Sequence, residues 1–114
     1  MGNKRRNLSA YRAMWLFAMF DLPVDTPKAR KEYSRFRAGL LKQGFSMMQY
    51  SVYSRYCNSE EKSKIIGKQI KKMLPPEGEV RLLAVTERQF GKMSVFYGKK
   101  RAPTEKPPDQ LMLF

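Results

Sequence analysis

Ala13 to Phe20, AMWLFAMF, is apolar at every position and stops at Asp21. The run shows no helical periodicity and is too short to cross a bilayer as a helix. It therefore reads as a central β-strand covered on both faces. That constrains everything else, because the remaining chain has to supply two covers for one strand.

The first cover is legible. After the LPVDTP break, Thr26 can cap a helix and Pro27 suits its first position. The helix runs to about Gln43, and Gly44 closes it. Ala29, Tyr33, Phe36 and Leu40 form one apolar stripe, while Lys28, Lys31, Arg35 and Lys42 form another, basic one. Residues 45–57, FSMMQYSVYSRYC, are rich in β-formers and read as one bent strand or two strands with a tight turn. Asn58, with Glu61 three residues on, offers a near capping box for a second helix through Leu74. That helix turns Ile66, Ile70, Met73 and Leu74 inward and Lys64, Lys68, Lys71 and Lys72 outward. PPEG stops it, Val80–Thr86 reads as a strand, and Phe90–Tyr97 as a further one.

The order βαββαβ with an additional C-terminal strand predicts an α+β, ferredoxin-like sandwich with an antiparallel sheet and both helices on one face. Residues 1–11 read as a basic arm, 12–98 as the folded domain and 99–114 as a Pro-rich tail. The second face of strand one is left to the final strand, to the tail, or to a second copy of the chain.

Charge and residue types narrow the function. There are 23 Lys and Arg against 10 Asp and Glu, an excess that favours a polyanionic partner through release of phosphate counterions. The chain has no histidine, which excludes His-based triads and His metal sites, and a single cysteine, Cys57, which excludes an intrachain disulfide. The basic N-terminus leads into an apolar run too short for a secretory or transmembrane segment, so a cytoplasmic protein away from the membrane is expected. What remains is carboxylate chemistry. Asp21 at the strand end is either a turn-forming residue or a metal ligand, and one Asp per chain becomes a pair only across a dimer axis.

WLFAMFDLP, the Thr-Pro-capped basic helix and the segment Gly44-Phe-Ser-Met-Met-Gln49-Tyr-Ser51-Val52-Tyr53 together resemble the small CRISPR-associated adaptation protein family, the smaller of the two core spacer-acquisition proteins. The likeness spans roughly residues 12–98; the arm departs from members that start directly at strand one. The resemblance implies a ferredoxin-like homodimer in which the last strands complete the opposite subunit's sheet. It implies a CRISPR integrase as partner and duplex DNA as cargo. It matches Asp21 to the family's metal-linked Asp, with Mg²⁺ as the cofactor of an endonuclease acting on RNA or DNA. On this reading the chain is a DNA-binding scaffold, and Mg²⁺-dependent endonuclease is the alternative. Phosphate contacts fall to Lys28, Lys31, Arg35, Lys64, Lys68, Lys71 and Lys72, with Lys4, Arg5 and Arg6 of the arm in addition. The tail residues Leu111, Met112, Leu113 and Phe114 either plug the chain's own sheet or anchor a partner; DQLMLF also looks like the Gln-Leu-x-Leu-Phe peptides that dock on the bacterial sliding clamp.

Overall fold

The computed structural model describes residues 12–99. Strand β1 (Met14–Asp21) lies inside the sheet, antiparallel to β3 (Val52–Cys57) on one side and to β4 (Glu79–Thr86) on the other. Strand β2 (Ser46–Gln49) pairs with β3, so the sheet order is β2-β3-β1-β4. Because side chains alternate along a strand, Met14, Leu16, Ala18 and Phe20 point to one face and Trp15, Phe17 and Met19 to the other. The first set joins the buried core.

Helix α1 (Pro27–Lys42) supplies the central part of that core through Tyr33, Phe36 and Leu40. Thr26 caps it by accepting from the Ala29 amide at 3.0 Å, and Pro27 sits in the first turn, as the sequence predicts. At the other end Gly44 takes a φ of 87°, a conformation that disfavours side chains with a Cβ. The turn it makes lets the amides of Gly44 and Phe45 donate to the carbonyls of Leu41 and Leu40, and it drops Phe45 into the core. The ring of Phe20 meets Phe36, Tyr53 and Tyr33 at centroid distances of 5.2, 5.6 and 5.8 Å. Helix α2 (Glu60–Lys72) adds Ile66 and Ile70.

Three local expectations change. The cap of α2 is Ser59, which accepts from the Lys62 amide, and not Asn58. With Ser59 as cap, both Glu60 and Glu61 lie in the first turn, where the helix dipole favours carboxylates. Leu74 is 48% exposed, because the helix ends at Lys72 and only its cap residue Met73 still packs against the core. Phe90–Tyr97 is not a strand: Phe90 belongs to a short helix α3 (Glu87–Gly91), and residues 93–98 have no regular structure. The helix forms because Thr86 and Gln89 complete a capping box, each side chain taking the other's backbone amide.

Candidate functional site

The two long helices carry eleven Lys and Arg against three Glu, while the four strands carry two Arg against two carboxylates. The positive charge of the described chain is thus concentrated on the helical layer. Lys28, Lys31, Arg35, Lys64, Lys68, Lys71 and Lys72 are all exposed. Arg35 makes only a loose pair with Glu32, at 3.8 Å. Two other arginines of α1 bond to the chain itself: Arg37 donates to the buried Tyr53 at its hydroxyl, 2.6 Å away, and Arg30 to the carbonyl of the exposed Val24 at 3.2 Å.

The basic residues do not form one cluster. Arg35, Lys42 and Lys72 line a groove of about 530 Å³ between the C-terminal halves of α1 and α2, floored by Phe36 and Met73. Lys28 borders a separate hollow of about 150 Å³ with Leu22, Tyr33, Pro75 and Pro76. Lys31, Lys64, Lys68 and Lys71 line neither.

Asp21 ends β1 in solvent. The Asp-Leu-Pro turn does not claim its carboxylate, which has no hydrogen-bond or ion-pair partner among the described residues. Its register partner is Glu79. Residues directly opposed on antiparallel strands present their side chains on the same face, so two carboxylates face each other across β1 and β4. Glu79 is compensated by Arg81, whose Nε donates to it at 2.6 Å; that bond raises the guanidinium pKa above its usual value. Gly78, at φ 98°, makes this approach: a Cβ there would lie 2.6 Å from Leu22 Cδ2 and 2.7 Å from the Asp21 carbonyl.

This arrangement fits a Mg²⁺ ion, which typically takes one or two carboxylates and keeps several waters. No group of three or more His, Cys, Asp or Glu able to hold a metal occurs among the described residues. Glu79 was missed in the sequence because it lies 58 positions from Asp21, and only the β1–β4 register unites them. The arm residues Lys4, Arg5 and Arg6 and the tail residues Leu111, Met112, Leu113 and Phe114 lie outside the described residues.

An antiparallel four-stranded sheet of this order, with its two long helices packed on one face, defines a small α+β protein of the ferredoxin-like class. No helix among the described residues is long and apolar enough to cross a membrane. Residues 14–93 match the family described as CRISPR associated protein Cas2, and the chain belongs to that family. It is 57% identical over 101 residues to a protein of Parvibaculum lavamentivorans, an alignment covering 89% of this chain and 100% of the relative. It is 47% identical over 107 residues to one of Flavobacterium psychrophilum, covering 94% and 93%. A protein of Paracidovorax avenae is 42% identical over 107 residues, covering 94% and 99%. All three bear the name CRISPR-associated endoribonuclease Cas2.

Proposed function

We propose that this chain acts in CRISPR adaptation as a homodimeric, cytoplasmic DNA-binding scaffold that bridges integrase subunits and duplex prespacer DNA. The observation that carries the reading is the concentration of eleven cations on the helical layer. A scaffold that accepts many spacer sequences needs phosphate contacts and no base contacts, which a face of exposed lysines can supply. Leu83, Val95, Phe96 and Tyr97 support the dimer: all four are exposed apolar residues, Phe96 by 88%. The tail residues Leu111–Phe114 take the role of an integrase anchor in this reading.

The test is a salt titration of duplex binding. Unrelated duplexes of equal length should bind alike. Reversing Lys28, Lys31 and Arg35 to Glu should lower the slope of log affinity against log salt by about three. Strong discrimination between sequences, or an unaltered slope, would overturn the scaffold reading.

A second reading is a Mg²⁺-dependent endonuclease on RNA or DNA. It is supported by the solvent-facing Asp21 carboxylate opposite Glu79 and by the names of the relatives. Asp21 would hold the ion with Glu79 beside it, and a second copy would bring a second Asp21. A bound Mg²⁺ polarises a phosphodiester oxygen and lowers the pKa of a bound water. Asp21→Asn keeps the side chain's size and removes its charge. On the endonuclease reading, Mg²⁺-dependent cleavage by the purified protein vanishes while duplex affinity is retained. Cleavage unchanged in Asp21→Asn assigns the activity elsewhere. Spacer acquisition in cells that survives the substitution supports the scaffold reading.

A further inference from the structure

Arg35, Lys42 and Lys72 stand around an apolar floor, and DNA phosphates alone give that floor nothing to hold. We propose that the groove between α1 and α2 is the docking site of the chain's own residues 107–114, PPDQLMLF, which cover these cations while no integrase holds the tail. This rests on the scaffold reading, in which Arg35 and Lys72 face DNA phosphates and Leu111, Met112, Leu113 and Phe114 anchor an integrase. It adds a control to that reading: capture of the anchor uncovers the groove for DNA.

The groove is built for a guest that is partly apolar. Met73 reaches from the end of α2 onto α1 at Gly39, where a Cβ would stand 2.6 Å from its Sδ. A glycine inside a helix weakens it, and here the missing side chain makes room for the floor. Beside Met73, Leu74 and Ala38 are exposed. The rim is cationic. Arg35, Lys42 and Lys72 reach solvent, and Glu32 is the one carboxylate among the described residues that line the groove, 3.8 Å from Arg35.

Residues 107–114 have the complementary character. They carry one carboxylate, Asp109, and no cation, and they end in four apolar residues, Leu111 to Phe114. A run of that size gains by leaving water. Its side chains suit Met73 and Leu74, and Asp109 suits the rim, so one guest satisfies both halves of the groove.

The segment is long enough to get there. Met14 on β1 pairs with Cys57 on one side and Thr86 on the other. Two residues before Cys57, Arg55 Nε donates to the carbonyl of Gln43, the residue that caps the end of α1. The Lys42 end of the groove and Thr86, where the chain leaves the sheet, therefore lie at the same end of the sheet. From Lys99 to Leu111 the chain can span at most about 40 Å. Helix α1 itself is only about 24 Å long.

Methionine methyl NMR of the full-length protein tests the docking, because Met73 lies in the groove, Met112 in the segment and Met14 in the core. Leu113→Ser with Phe114→Ser should move the Met73 resonance and leave that of Met14 in place. Leu74→Ser, at an exposed position, should move the resonance of Met112. Neither variant changes charge, so both should bind a blunt DNA duplex more tightly, by about tenfold if the segment covers the groove nine-tenths of the time. A Met73 resonance unmoved by the tail variant overturns the proposal, and so does wild-type duplex affinity in both variants. A lowered unfolding midpoint in the tail variant with Met73 unmoved places the segment elsewhere in the fold and overturns it as well. Failure of the scaffold reading shows instead as sequence discrimination between duplexes, in wild type and variants alike, so the two failures are distinguishable.

Discussion

The two faces of β1 are made of equally apolar residues and end up in different surroundings. Leu16, Ala18 and Phe20 are closed in by Tyr33, Phe36, Leu40, Ile66 and Ile70 from the same chain. On the reverse face, Trp15 and Phe17 are covered chiefly by the single ring of Phe90, at centroid distances of 4.0 and 5.8 Å. Their neighbour Leu83 remains 49% exposed. A residue's hydrophobicity therefore says that it will be covered, and the topology decides by what. The covered face belongs to the fold, and the other keeps apolar side chains such as Leu83 at the surface.

That contrast breaks most readily at Phe36, which is 1% exposed and packed edge-on against Phe20. Phe36→Ala should destabilise the fold by about 3–5 kcal/mol, the combined transfer and cavity cost of losing a core aromatic. Denaturant unfolding measures it. A loss below ~1 kcal/mol would mean that the helical face is not the core that holds the molecule together.

The opposite face should respond weakly in the same assay and strongly in another. Leu83→Ser removes an apolar side chain that is already half in water, so its effect on folding should stay below ~1 kcal/mol. Light scattering should nevertheless show the proposed dimer shifting toward a 13.4 kDa monomer. If Leu83→Ser costs the fold as much as Phe36→Ala, the two faces are one core and the comparison fails.

Much of this was legible in the chain. The strand–helix–strand order and the inward stripe of α1 follow from local periodicity and capping residues, while residues 45–57 left one bent strand and two strands with a turn both open, and the β2–β3 pairing decides for the second. The fold class came from their sequence order. What was not legible was non-local or competitive. Glu79 meets Asp21 only through sheet register. Asn58 and Ser59 are both good caps, and the Glu61 spacing pointed to the wrong one. Around Phe90 the β-forming composition of residues 90–97 outweighed the Thr86–Gln89 capping box, which was present in the sequence and decided the local structure. Tyr56 and Trp15 were read as part of the strand pattern, because nothing local shows that α3 roofs only part of their face.

Cys57 gives the covered face a chemical marker. It is the chain's sole thiol, buried on β3 opposite Met14 and capped by the Arg55 side chain. A buried thiol of this kind is shielded from alkylating reagents. Reagent can reach it only when the core around it opens, so the alkylation rate of the unmodified protein is a clock for opening of the covered face. The same shielding makes the native chain a clean background for site-directed labelling. A cysteine introduced on the bare face can carry a dye alone, so partner docking and core opening can be followed in the same molecule by separate reporters.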